Sequence, residues 1–565
     1  MHYYQAMWDD EKPEEFLPVF SMEKIDRKGR AMEENMVVLQ QLQTVYPADQ
    51  QEQDALEQVW QDWKFRGAAL LERDCDCHFT ASALICNPQM DKVLMVHHNL
   101  YQTYAWPGGH VDGGSDFLKE TLREVREETG LETVTPLTGA ILSLDILPVP
   151  EQTKRGVVIP PHTHYSVAFG LIAEETQALK IAPEENSAVR WIPVSDLEEA
   201  SGEPHMMTIY RQILKKMNAI ASEKQLLFEK LPELLLPWYE KAHRDLPWRV
   251  DREPYHVWLS EIMLQQTRVE AVKGYYQRFL ETFPTIASLA EGEEGVLLKL
   301  WEGLGYYNRA RNLQKAAKQI QEQYNGVFPS THKEILNLPG IGAYTAGAVG
   351  SICFELPTPA VDGNVLRVIS RLTESFFSVD ENKVKQQISD ALEIVYPKQH
   401  CGAFTQSLME LGATVCVPNG APRCEECPLG LICMARQNGT ALQLPVKKKK
   451  VPRRTEEKTV FVLRCGEELA VEQRLEKGVL HGLWQLPNVS GKLEEGELGE
   501  VLKEWGVSVG DLKQAVERKH IFTHITWEMR CYSIQCAEKS PRFTWVTEAQ
   551  RQSSISLPTA FRMFL

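Results

Sequence analysis

Two stretches of this chain repeat one order of features and bracket a block of different periodicity. KVLMVHHNLYQTYAWPGG near residue 100 and LAVEQRLEKGVLHGLWQLPN near residue 480 each start as an apolar run and pass through a turn containing Trp and Gly. Each leads to a helix ending in glycine, at Gly130 and Gly506, and then to strands and a further Trp, Trp191 and Trp545. Short apolar runs bounded by turn residues read as strands. Between the copies, from Gln225 to about Arg436, LLFEKLPELLLPWYEKAH, VWLSEIMLQQ and NLQKAAKQIQEQY carry helical spacing, and the breaks contain Pro or Gly. The fold class this predicts is multidomain: an α/β domain, an all-α domain, and a second α/β copy of the first. A length of 565 residues accommodates three such domains.

The expected boundaries are an acidic helical extension over 1–66, an α/β domain over 67–222, a helical domain over 223–445, a basic linker over 446–458 and a second α/β domain over 459–565. Helical spacing marks Met36–Leu42 and Ala55–Trp63 in the extension, and Ile209–Ser222 reads as a closing helix before a linker. The linker carries Lys447–Lys450, Arg453 and Arg454, a run that is usually solvated but can add phosphate contacts beside a DNA-binding domain. Net charge is −16, which argues against a nucleic-acid partner until it is divided. Residues 1–222 hold 35 acidic and 19 basic side chains, the whole of the excess, and the remainder holds 42 of each. Whole-chain charge is therefore a poor guide to what any one domain touches.

No basic-then-apolar leader opens the chain, and the longest uncharged stretch, Ile335–Phe354, is broken by Pro339, Gly340, Gly342, Gly347 and Gly350. The expectation is a soluble, cytoplasmic protein without membrane contact. Four of its twelve cysteines crowd between Cys416 and Cys433, a pattern of metal or cluster ligation more than of disulfides.

In GGHVDGGSDFLKETLREVREETG, Glu124, Glu127 and Glu128 fall at i, i+3 and i+4, on one helical face. Such repulsion is relieved by a hard cation such as Mg²⁺ that bridges to a phosphate substrate, or else the face is simply solvated. The segment resembles the Nudix box through its Gly pair, Arg123-Glu124, Val125, Glu127-Glu128 and Gly130. The resemblance implies a Nudix fold and Mg²⁺-dependent cleavage of a nucleotide-type small molecule. Ser115 departs from the family's usual glutamate, which bears on activity more than on fold. His162 and His164 are candidates to line that pocket, although alternating strand histidines are more often plain surface residues.

The cysteines are spaced Cys416-x7-Cys424-x2-Cys427-x5-Cys433. Soft ligands at this density suit Zn²⁺ or an iron–sulfur cluster; the missing paired knuckles favour iron–sulfur. Upstream, Pro339-Gly340-Ile341-Gly342 precedes a helix and offers exposed backbone amides to a DNA phosphate, unless it is only a tight turn. Glu261 stands alone in an apolar helix, and Asp362 lies in the loop PAVDGNV. A carboxylic acid with a raised pKa and a second, ionised carboxylate are how glycosidic bonds are commonly broken. Taken singly, the two also read as a surface glutamate and an N-cap aspartate.

Residues 225–440 resemble the helix-hairpin-helix DNA glycosylases of the MutY adenine type, through LPWR, WLSEIMLQQTRV, GLGYYNRARNL, LPGIGAYTAGAV, VDGNVLRV and the four cysteines. The resemblance implies a monofunctional adenine DNA glycosylase in base-excision repair, acting on double-stranded DNA with A opposite 8-oxoguanine or G. By it, Glu261 protonates adenine, Asp362 stabilises the developing sugar cation, and Tyr344 and Asn364 support them. Arg249, Leu264, Gln266, Tyr306, Arg309, Arg311, Gly340 and Gly342 would face DNA, with Gln266 and Tyr306 entering the base stack as adenine is extruded. Tyr344 stands where lyase-type relatives place a lysine, which implies little strand cleavage. Cys416, Cys424, Cys427 and Cys433 would hold a [4Fe–4S] cluster, although the first gap is seven residues where the family usually has six.

Residues 459–565 resemble the MutY carboxyl-terminal, Nudix-like module. Lys503 falls at the Glu127 position and Gly499 at the Arg123 position, so hydrolysis there is not expected. Phe522-Thr523-His524 stands where the family has Phe-Ser-His, a loop that by resemblance probes 8-oxoguanine; the alternative is a core strand with an exposed histidine. The competing functional readings are nucleotide pyrophosphohydrolysis as the main activity, or an inactive first Nudix module used only for binding. The protein is expected to be monomeric and nucleoid-associated.

Overall fold

The run CHFTASALIC lacks polar–apolar alternation, and all 10 residues of strand Cys77–Cys86 are buried, as in a strand covered on both faces. The computed structural model describes residues 29–154, 157–448, 452–475 and 478–565. Residues 1–28 of the expected extension and 449–451 of the expected basic linker lie outside the described residues. The chain divides into two compact units, the first comprising residues 1–224 with Glu374–Phe376 and Gln437–Thr440, the second the remainder.

In the first unit Cys77–Cys86 runs parallel to His162–Ile172, and Lys92–His98 and Asn186–Pro193 extend the sheet on one side. Gly108–His110 pairs with Cys77–Cys86, and Ser143–Val149 with His162–Ile172. Helix Phe117–Thr129 starts at Asp116, whose side chain accepts from the Lys119 amide, and stops at Gly130 in the left-handed region. Its Phe117 and Val125 join Phe79, Tyr165 and Phe169 in one core. Helices Gly29–Leu42 and Gln50–Arg66 contribute Val38, Leu42, Val59 and Trp63 to that same core. The acidic composition of this region conceals two apolar faces that are part of the sheet's packing. The expected closing helix is longer than its pattern suggested: Pro204–Glu229 runs through Ser222 without a linker. SEKQLLFE contains neither Gly nor Pro to stop it.

The second unit holds the helical domain and the second sheet. Helices Pro254–Leu264, Val269–Thr282, Asn308–Tyr324 and Ala343–Phe354 enclose Trp258, Tyr276, Phe279, Trp301, Leu313 and Val349. Further helices, Gly363–Leu372 and Cys401–Thr414, pack on each other. The second sheet repeats the first: Arg454–Cys465 runs parallel to Ile525–Cys536, with Glu468–Gln473 and Thr544–Val546 on one side and Val509–Ile521 on the other. Asn488–Ser490 takes the place of Gly108–His110. Where the first copy has a 13-residue helix the second has Leu498–Glu504, seven residues long and carrying Gly499 and Lys503. Two α/β Nudix-like sheets thus flank an all-α domain in sequence. Among the described residues, no helix is long and apolar enough to cross a membrane.

Candidate active site

Helix Pro254–Leu264 is apolar nearly all round, so burial takes its one carboxylate with it: Glu261 is 6% exposed. Its partner is Tyr344, in the first turn of Ala343–Phe354, whose hydroxyl donates to the Glu261 carboxylate. Burial raises the Glu261 carboxyl to about 7; the Tyr344 hydrogen bond opposes this and nearby Asp362 adds to it. Glu261 is therefore a buried carboxyl with a raised pKa, not a surface glutamate.

Asp362 caps Gly363–Leu372, accepting from the amides of Asn364 at 2.9 Å and Val365 at 2.8 Å. Asn364 Nδ2 donates a third bond at 2.6 Å. Burial raises this carboxyl too, but the three donors act against it and favour the ionised form. Asp362 is thus the N-cap aspartate that the loop pattern allowed. Asn364 is set in turn by Arg367, which donates to its Oδ1 at 2.9 Å. Gly412 makes room, since a Cβ there would lie 2.5 Å from that of Asn364.

Gly340 turns the chain with φ +78°, and a Cβ would sit 2.6 Å from Asn312 Cβ, so glycine is required. Gly342 N-caps Ala343–Phe354 facing open space, which leaves the helix start accessible. Gln266 and Tyr306 both adopt positive φ, +57° and +48°, and both side chains are exposed. Each backbone carries strain of roughly 1 kcal/mol or more. Leu264 ends its helix half-buried against the core.

The three arginines expected at DNA are all engaged within the protein. Arg249 donates to buried Glu410 at 2.8 Å and to the Arg244 carbonyl at 3.1 Å. Arg309 donates to the carbonyls of Ile262, Met263, Gln265, Leu304 and Gly305. Arg311 pairs with Glu294 at 2.7 Å and donates to the His481 and Gly482 carbonyls. All three fasten the scaffold, and Arg309 and Arg311 also line a cleft. Glu410 was missed by sequence reasoning, although a lone glutamate in the apolar run SLMELGATV is the same signal that marks Glu261.

A cleft of about 1040 Å³ is lined by Trp258, Ile262, Tyr306 and Gly340 on the helical side and by His481 and Phe522–His524 on the other. Phe522–His524 is a hairpin tip between Val509–Ile521 and Ile525–Cys536, with Thr523 and His524 exposed, not a core strand. The hydroxyls of Tyr306 and Thr523 meet across the cleft at 2.8 Å.

All four clustered cysteines are free thiols. Burial, together with the neighbouring thiols, raises Cys427 to about 12 and Cys433 to about 11. Arg371 Nη1 lies 3.3 Å from Cys416 Sγ, and Arg367 Nε donates to the Cys416 carbonyl at 2.7 Å. The loop is thereby tied to the helix that Asp362 caps. Among the described residues, the sets whose ligand atoms lie within 4.8 Å are His78, His110 and His164, and Cys75, Asp76 and Cys77. The four clustered cysteines do not form such a single-ion set.

In the first unit, Glu124 and Glu128 are buried and Glu127 exposed. Burial raises the Glu128 carboxyl to about 8, against a 3.0 Å bond from the Gly108 amide, and raises Glu124 as well. Arg123 pairs with Glu120, Glu124 and Glu127 at 2.8, 2.7 and 3.1 Å. A Cβ on Gly109 would lie 2.6 Å from the Glu124 carboxylate, so the glycine admits the acid against the backbone. The turn at Ser115 is clamped by Gln41, which accepts from the Phe117 amide and donates to the Ser115 carbonyl.

Residues 259–397 match the HhH-GPD superfamily of base excision DNA repair proteins, and residues 77–213 and 459–565 each match the NUDIX domain. An adenine DNA glycosylase of Buchnera aphidicola subsp. Schizaphis graminum is 34% identical over 52% of this chain and 84% of its own. That of Homo sapiens is 32% identical over 58% of this chain and 73% of its own. An endonuclease III solved in a non-covalent DNA complex is 27% identical, covering 39% of this chain and 98% of its own with a TM-score of 0.34.

Proposed function

This chain belongs to the adenine DNA glycosylases, and from that premise we propose how its residues divide the work. The helical domain excises adenine from DNA. Adenine is turned out of the duplex into the space beside Glu261, with Gln266 and Tyr306 filling the gap it leaves. Glu261 gives its proton to the base as the N-glycosidic bond breaks. The bonding electrons leave with adenine, the sugar acquires positive charge, and ionised Asp362 stabilises it until water adds to the anomeric carbon and loses a proton. Asn364 favours the ionised form of Asp362, while burial keeps Glu261 protonatable and Tyr344 positions its carboxyl. The observation that carries the reading is a buried, protonatable Glu261 beside an Asp362 held by three donors.

The opposite base is 8-oxoguanine or guanine, received in the cleft where Thr523 meets Tyr306. Backbone amides at Gly340 and Gly342 take a phosphate; the open start of the following helix supports this. Cys416, Cys424, Cys427 and Cys433 hold a [4Fe–4S] cluster. The fit rests on four soft donors close together in sequence, with Arg371 beside Cys416 to offset thiolate charge. When bound, the cluster supplies a cross-link for a loop that has little core of its own.

The first Nudix domain takes a nucleotide-type ligand. Glu124, Glu127 and Glu128 would hold Mg²⁺, which when bound supplies charge neutralisation for a phosphate chain. The burial of Glu124 and Glu128 favours this over a solvated acidic face.

The glycosylase reading is tested with a duplex carrying A opposite 8-oxoguanine, incubated with wild type and Glu261→Gln. Alkali-revealed cleavage at the adenine in wild type alone supports it, and equal cleavage by both removes Glu261 as the acid.

A further inference from the structure

Strands Cys77–Cys86 and His162–Ile172 place histidines on the sheet face opposite the core. Phe79 and Tyr165 point into the core, so the alternation sends their neighbours His78 and His164, which are register partners, the other way. His110 ends the strand Gly108–His110 opposite Thr80, two residues along the same face. Ring centroids of His78 lie 5.0 Å from His110, 5.3 Å from His162 and 5.1 Å from His164. Those of His110 and His164 are 5.1 Å apart. Four imidazoles thus converge, and His78, His110 and His164 each bring a ligand atom within 4.8 Å of the other two.

The hydrogen bonds settle which nitrogen of two rings is available. His78 Nδ1 lies 2.9 Å from the Cys75 carbonyl, which can only accept, so Nδ1 carries the proton and Nε2 the lone pair. That Nε2 is buried and has no partner, in a residue 3% exposed. An orphaned buried acceptor is costly unless a bound group satisfies it. His162 Nδ1 is likewise 2.9 Å from the Pro160 carbonyl, which leaves its Nε2 as an acceptor 3.1 Å from His164 Nε2. Two ring nitrogens so close require a proton or a cation between them. A backbone carbonyl on the far nitrogen is also the usual outer support of a metal-bound histidine.

We propose that His78, His110 and His164, flanked by His162, form a site for a borderline divalent transition ion of the Zn²⁺ class. Imidazole ligands suit such an ion, whereas the neighbouring glutamate helix suits a hard one. The local charges permit it. Arg73, the nearby cation, is neutralised by Asp112 at 2.6 Å. The second set, Cys75, Asp76 and Cys77, carries no such site, because the Arg66 guanidinium already sits on Asp76 and Cys75. His110 and His164 are only half-buried, so the ion keeps an approach from solvent.

The test uses full-length protein with its native iron content measured, freed of loose metal by dialysis against a chelator and titrated with Co²⁺ alone. The expected result is one equivalent giving visible ligand-field absorption without sulfur-to-metal charge transfer, displaced by Zn²⁺. Affinity falls by at least about tenfold in His78→Ala and in His164→Asn. His164→Asn, on the more open side, keeps the measurement decisive if His78→Ala fails to fold by circular dichroism. Glu127→Gln retains the equivalent. No nitrogen-type equivalent in wild type, its persistence in both histidine variants, or its loss in Glu127→Gln would overturn the site.

Discussion

Tyr344 donates its hydroxyl hydrogen to Glu261, joining the first turn of one helix to the buried face of another. The bond draws the Glu261 carboxyl down while burial pushes it up, and the balance falls at about 7. Removing the hydroxyl removes the downward pull. Tyr344→Phe is therefore expected to shift the alkaline limb of adenine excision to higher pH, read from single-turnover rates across pH. An unmoved limb would disconnect Tyr344 from the acid.

Glu261 also costs stability. Its folded pKa lies above the unfolded value of 4.5, so its favourable contribution is complete below that value and is lost as pH rises through about 7. Glu261→Gln, uncharged at every pH, should unfold later than wild type above pH 7, by on the order of 1–3 kcal/mol. Thermal melts at two pH values read this, and a variant less stable than wild type at both would contradict the buried carboxylate.

Arg371 links the cysteine loop to the helix capped by Asp362, through Cys416 Sγ at 3.3 Å and the carbonyls of Val417 and Leu444. Arg371→Met leaves those carbonyls unpaired, a loss of roughly 1–3 kcal/mol each where burial is complete. The expected outcome is less iron per chain and earlier unfolding. Unchanged iron, absorbance and melting would show that the loop is held otherwise.

Gly340→Ala places a methyl 2.6 Å from Asn312 Cβ at a positive φ. The turn must move, and duplex affinity should fall several-fold while isolated helix content is kept. Titration of a labelled duplex measures it; wild-type affinity would remove the turn from the DNA interface.

Some of this was legible in the sequence and some was not, for physical reasons. Glu261 could be read because a carboxylate within an apolar helix has nowhere to go but inward. Glu410 sends the same signal, but its partners Arg244 and Arg249 lie over 160 positions away, so its role as a scaffold anchor was not readable. Arginines near a hairpin suggest phosphate contacts by type; the turn of Arg309 onto helix-terminal carbonyls is set by the fold and not by its neighbours in sequence. The strained backbones of Gln266 and Tyr306 leave no compositional trace. The histidine cluster was half visible: alternation put His162 and His164 on one face, while His78 and His110 arrive from other strands.

The central claim is that a protonated, buried Glu261 drives excision. The most direct measurement is the single-turnover rate of adenine release from a duplex with A opposite 8-oxoguanine, followed from pH 5.5 to 9. A rate that falls as pH rises through about 7 in wild type, with no measurable excision by Glu261→Gln, is the predicted result. A wild-type rate flat to pH 9, or a Glu261→Gln rate equal to wild type, would contradict it.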